Sequence, residues 1–200
     1  MDDEALIAAI PESGLAESSQ LAEEAGRRGL AAALPALIAL CRRFAGIDFD
    51  RMVPEQAAAL RALAMIGGRD AAHAVAEMIE RAVVRGPTLS IALDAAARLD
   101  PKLSADVLRW LLRYSEPGIR ADACHFVRRP LPELIAVLND LLDDLDRTVF
   151  KAAACALGGM GRVEARPALK NLLRSEPSRE VIEAVTSIAD GDCVVLLFAR

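Results

Sequence analysis

Apolar positions along this chain recur at helical spacing and are interrupted on a fixed beat. The beat is clearest from Pro117 to Glu176, which divides into two thirty-residue halves, PGIRADACHFVRRPLPELIAVLNDLLDDLD and RTVFKAAACALGGMGRVEARPALKNLLRSE. Each half reads as a helix of small residues, a turn rich in Gly, Pro and Arg, a Leu-rich helix and an acidic exit. Pro87 lies thirty residues before Pro117, and Pro177 sixty after it. One helix pair of this length cannot bury its apolar face alone, so a fixed period in this range marks stacked repeats. The pattern predicts an all-α fold, an α-solenoid of about five to six antiparallel helix pairs.

Taken in order, residues 1–29 read as a polar N-terminal cap with two modest helices, the first marked by Leu6, Ile7 and Ile10 and ended by Pro11. Residues 30–53 hold the remnant of a first helix pair, LAAALPALIALCRRFA, with Pro35 in the first turn, where its missing N–H costs nothing. Full repeats follow at 54–86, 87–116, 117–146 and 147–176, and residues 177–200 start an incomplete one. In 54–86 the second helix is expected from Asp70, as N-cap, to Val84, with Ala72, Val75, Ala76, Ile79 and Val83 buried. In 87–116 the second helix is expected to run to Tyr114. Leu103, Val107, Trp110, Leu111 and Tyr114 then share one face, and Lys102, Asp106, Arg109 and Arg113 the other. The last helix leaves Val194, Val195, Leu197 and Phe198 with no following repeat, so a chain–chain contact, as in a homodimer, is expected through Val195, Leu197 and Phe198.

Composition narrows the chemistry. Apolar residues make up 54% of the chain and aromatics 4%, so the core is built mainly from Ala and Leu, both strong helix formers. The formal charge of −5 lends no support to a polyanionic partner, and nucleic acid is not expected. The longest apolar run, Leu30 to Cys41, is too short for a span of about 20 residues and contains Pro35, and the acidic start lacks a signal peptide's basic region. A cytoplasmic protein with no membrane partner is expected. Cys41, Cys124, Cys155 and Cys193 form no CxxC and sit among apolar residues, which suits free core thiols.

No catalytic or metal set stands out. The two histidines, His73 and His125, are not followed by Glu, and a first-row metal needs three or four donors. The glycines at 67–68 and 158–161 have no GxxxxGK[ST] frame and read as turns. Asp143 and Asp144, with Asp140 and Asp146 nearby, read as a solvated helix end, or else an acidic patch for a basic partner. Trp110 and Tyr114 suit core packing, or alternatively a binding anchor. No cofactor and no enzymatic activity are expected.

The fourth and fifth units resemble HEAT repeats of the short Ala-rich bacterial type also seen in phycobilisome lyase-like proteins. The resemblance is carried by RTVFKAAACALGGMGRVEARPALKNLLRSE and by the opening PGIRADACHFV, with Ile119 and Arg120 in a Val-Arg slot. It is carried most by 117–190, less by 54–116 and least by 1–29. It implies a ladder in which an acidic junction residue meets a basic residue early in the next helix, here Glu116 with Arg120 and Asp146 with Lys151. In the final unit Glu176 is present, but Glu180 or Val181 fills the basic slot. The resemblance also implies that the second helices line a concave face. The outward residues there include Glu77, Arg81, Lys102, Asp106, Arg109, Arg113, Glu133, Asp140, Asp143, Arg166, Lys170 and Arg174. Their sign alternates between repeats, which suits a protein or peptide partner. The expected function is a non-enzymatic scaffold or adaptor. Two rivals are a lyase-like cofactor-binding enzyme or chaperone and a HEAT-like nucleic-acid repair protein.

Overall fold

The structure is a computed structural model and describes residues 1–45 and 51–188. Helices make up the regular structure, with no strand among the described residues. They are α1 (Asp3–Glu12), α2 (Leu15–Arg27), α3 (Leu34–Arg43), α4 (Pro54–Ile66), α5 (Gly68–Glu80), α6 (Pro87–Leu99), α7 (Ala105–Leu111), α8 (Pro117–Phe126), α9 (Pro132–Asp140), α10 (Arg147–Gly159), α11 (Arg166–Ser175) and α12 (Arg179–Ser187). The fold is an all-α solenoid of helix pairs, and its helices group into two compact units, Met1–Ser104 and the chain from Ala105 onward.

Local chemistry sets the helix ends. Proline opens α4, α6, α8 and α9 at the first position, where no backbone donor is required. Side-chain caps close other starts: Asp2 accepts from Ala5 N, Asp146 from Thr148 N and Val149 N, and Ser178 from Val181 N. Gly67 and Gly68, at φ +75° and +85°, turn the chain between α4 and α5 in a region that L side chains avoid.

In the first unit α2, α4 and α6 lie side by side as one rank, and α1, α3 and α5 form the other. Helix α4 is buried almost all round: Ala57, Ala58, Ala59, Leu60, Ala62 and Leu63 are each at most 1% exposed. Small residues let helices close on it, so a Cβ on Gly26 of α2 would stand 2.7 Å from Ala62 Cα. Each fully buried Leu contributes about 2 kcal/mol of transfer free energy. Gln56 ties the ranks by donating from Nε2 to Cys41 O at 2.9 Å and Val83 O at 3.4 Å.

In the second unit α8, α10 and α12 form the first rank. Helices α7 and α9 pack on each other, and α11 lies against α10 and α12. Val149, Ala153, Ala154, Leu157, Leu169, Leu172, Val181 and Val185 are fully buried between them.

Several expectations need correction. Pro11 lies inside α1: so near the helix end it removes one donor, and Ser13 N still bonds Ala9 O at 3.0 Å. Helix α5 begins at Gly68, so Asp70 sits in its first turn and is not the cap, and Val83 falls beyond its end at Glu80. The largest difference is α7. It spans only Ala105–Leu111, because residues 101–104 are non-helical and the three-residue bonds Arg113 N to Trp110 O and Tyr114 N to Leu111 O close it off. Lys102 therefore lies in the connecting segment, and Arg113 and Tyr114 follow the helix. Leu108, Leu111 and Leu112 are the buried side chains; Leu103, Val107 and Tyr114 are half-buried, and Trp110 is exposed. Cys193, Val194, Val195, Leu197 and Phe198, and with them the expected chain–chain contact, lie outside the described residues.

Candidate functional site

The second unit builds a surface around one guanidinium. Arg120, on the first turn of α8, has a side chain only 16% exposed. Its Nε and Nη2 donate to Asp144 Oδ2 and Oδ1 at 2.9 and 3.1 Å, a two-pronged pairing. Its Nη1 donates to the carbonyls of Tyr114 and Ser115 at 2.9 and 2.8 Å. Asp144 Oδ1 also accepts from Asp146 N at 2.9 Å. The group thus locks the end of α7, the start of α8 and the approach to α10 into one corner.

This corrects two expectations. Asp144 is not a solvated carboxylate, with a side chain 10% exposed. The partner of Arg120 is Asp144, at the end of its own repeat, and not Glu116. Likewise Lys151 Nζ donates to Glu176 Oε1 at 2.6 Å, while Asp146 caps α10. In an antiparallel pair the start of the first helix comes beside the end of the second, so the basic residue meets the acid that follows it. The hydrogen bond from Lys151, with help from Arg147, holds the Glu176 carboxyl below its ordinary range, and Glu176 in turn raises Lys151.

Beside this corner stand the two aromatics. Trp110 and Tyr114 meet edge to face, with ring centroids 5.3 Å apart and planes at 84°. Trp110 is 38% exposed. On the same helix Arg109, half-buried, pairs with Asp106, which stands largely in solvent. On α9, Glu133 and Asp140 are exposed, as is Asp143 in the 3-10 turn that follows. On α11, Arg166 and Lys170 are half-buried and Arg174 exposed. In the first unit, Glu77 of α5 accepts from Arg42 of α3 at 3.1 Å and from Arg81 at 3.1 Å. Those two second-rank helices are thereby tied together.

Sequence reasoning missed two hollows on the first-helix side. One, of about 430 Å³, opens across α8, α10 and α12, with Cys155, Ala156, Gly159 and Ala184 among its small lining residues, and with His125 and Glu180. The other, of about 200 Å³, lies between α4 and α6 beside Met65 and Arg98. The signal that could have found the first is the run of small residues on the outward side of α10. His73 is exposed on α5. Among the described residues no three His, Cys, Asp or Glu side chains converge as metal donors. Burial pushes the Cys41 and Cys124 thiols up to about 12, and burial, aided by the nearby Glu180, pushes Cys155 up to about 11. No helix among the described residues is long and apolar enough to cross a membrane.

No protein-family model matches the chain, and no curated protein matches it. Among solved structures it is similar to YibA of Escherichia coli, at 14% identity over 99% of this chain and 85% of that one, with a TM-score of 0.52. It is also similar, more loosely, to the complex of CpcE and CpcF of phycocyanin lyase from Nostoc sp. PCC7120 (18% identity, 98% and 79% covered, TM-score 0.47). An engineered protein matches at 21% identity over 99% and 85%, with a TM-score of 0.39. The likeness to YibA is one of fold, an α-helical repeat.

Proposed function

We propose that the chain is a non-enzymatic scaffold or adaptor, of the HEAT-like kind, that holds a segment of another protein on the outward face of its second helices. One observation carries the reading: Trp110 is exposed on α7 while Leu108, Leu111 and Leu112 already fill the interior beneath it. Exposed tryptophans set edge-on against a second aromatic are favoured binding anchors, because they offer large area at small entropic cost. The flanking charges are of both signs, Asp106 and Arg109 on α7 and Glu133, Asp140 and Asp143 after it, which suits a protein more than a polyanion. Arg113, Arg166, Lys170 and Arg174 extend this set, and Glu77, Arg81 and Lys102 are their counterparts in the first unit.

Selection of random displayed peptides on the intact chain tests this. Selected peptides should bind at least tenfold more weakly when Arg109→Glu and Asp140→Arg are combined. Binding that does not change would overturn the second-helix assignment.

A further inference from the structure

We infer that the docking site is centred on Trp110, Tyr114 and Leu145, and that it takes a protein segment in which aliphatic side chains alternate with Arg or Lys. The inference rests on the protein-binding reading above and adds the place and the partner's chemistry.

The three residues are linked through one corner. The Arg120 guanidinium that donates to the Asp144 carboxylate also donates to Tyr114 O, so that carboxylate and the Tyr114 carbonyl lie one guanidinium apart. Leu145, next in the chain, is fully exposed. Trp110 stands against the Tyr114 ring at 5.3 Å.

The repeat supplies an internal comparison. Leu108 and Leu111 of α7 correspond, thirty residues on, to Leu138 and Leu141, and all four are buried. In that register Trp110 corresponds to Asp140, Tyr114 to Asp144 and Leu145 to Ser115. The fold is content with polar residues at these positions, so the apolar ones are not there to fill a core. An exposed leucine between two aspartates, and an exposed tryptophan set against Tyr114 in the same unit, are what a contact surface presents.

Charge selects the occupant. Residues 131–146 carry five acids, Glu133, Asp140, Asp143, Asp144 and Asp146, and no Lys or Arg. Arg120 satisfies Asp144, and Asp146 caps α10, which leaves Glu133, Asp140 and Asp143 directed to solvent. On the aromatic side Arg109 is paired with Asp106. An arriving Arg or Lys meets carboxylates on one flank and the Trp110 face on the other, where a cation is also attracted. A second copy of this chain docking with two-fold symmetry would instead set the same acids against each other.

The test is fluorescence anisotropy of the intact protein with a fluorescein-labelled eight-residue peptide of alternating Arg and Leu, beside Glu–Leu and Arg–Ser counterparts, at constant salt. The Arg–Leu peptide should bind at least tenfold more tightly than either counterpart. It should weaken at least tenfold in Trp110→Asp, which copies α9, and in Leu145→Ser, which copies the preceding junction. Both side chains are exposed, and circular dichroism checks that each variant keeps its fold. Equal binding of the Glu–Leu peptide would overturn the partner chemistry. Arg–Leu binding indifferent to both variants would overturn the site, as would a dimer abolished by Leu145→Ser. If selected peptides depend on Arg109 and Asp140 but the Arg–Leu peptide fails, this inference falls alone. If they are indifferent to those two residues, the reading beneath it falls as well.

Discussion

Arg120 and Asp144 are twenty-four residues apart and meet in two parallel hydrogen bonds of 2.9 and 3.1 Å, both side chains well shielded from water. The pair closes one helix pair and fixes where the next begins. Removing one partner strands the other in a low-dielectric corner, together with the carbonyls of Tyr114 and Ser115. Arg120→Met should therefore destabilise the protein by about 3 kcal/mol, read by urea denaturation. Arg120→Lys keeps the charge but not the fork and should recover only part of the loss. Wild-type stability in Arg120→Met would contradict the role given to the pair.

Two neighbouring glycines in α10 should respond in opposite senses. A Cβ on Gly158 would come within 2.7 Å of Leu169 Cδ1 and 2.9 Å of Ala184 Cβ, whereas one on Gly159 meets nothing within 4 Å. Gly158→Ala should cost about 1–3 kcal/mol by overpacking. Gly159→Ala should stabilise by about 0.5 kcal/mol through helix propensity. Thermal unfolding of the two variants decides it, and equal shifts would count against the close crossing of α10 and α12.

The Lys151–Glu176 pair makes stability depend on pH. The folded carboxyl lies below its ordinary value, mainly through the hydrogen bond from Lys151. Its contribution is present above the unfolded glutamate value of about 4.3 and is lost as pH falls through the lower folded value. Glu176→Gln should be less stable than wild type at pH 7, and the two curves should converge under acid. A difference that persists unchanged to acid pH would show that the pair is not its source.

The thiols should rank by access. Cys155 is half-buried at a hollow, while Cys41 and Cys124 are buried. Maleimide labelling followed by peptide mapping should find Cys155 modified in the folded protein, and Cys41 and Cys124 only after denaturation. With Cys155 raised to about 11, its rate should climb about tenfold per pH unit from 7 to 10, as the thiolate fraction does. A fast, pH-independent reaction would contradict the burial described.

The helical repeat was legible because its punctuation is chemical. Pro54, Pro87 and Pro117 open helices, Gly67 and Gly68 turn the chain, and Ala and Leu recur at the spacing of a buried stripe. Helix α7 was not legible in the same way. Around ADVLRWLLRY apolar residues fall on both sides, so periodicity alone could place either Leu108 and Leu112 or Val107 and Trp110 inward. Packing against α8 and α9 decides for the leucines. The partner of Arg120 was hidden for another reason. Glu116 stands four residues away in sequence, and only the antiparallel return of α9 brings Asp144 closer. The hollow over α10 depends on which small residues face outward, which composition does not reveal.

The single tryptophan of the chain offers the most direct measurement of the binding account, because it stands where the partner is placed. Acrylamide quenching of Trp110 fluorescence should be followed while the intact protein is saturated with a selected peptide. Emission should shift to shorter wavelength, with a clear loss of quenching, as the indole is covered. Full peptide binding with emission and quenching unchanged would place the partner elsewhere and contradict the binding account.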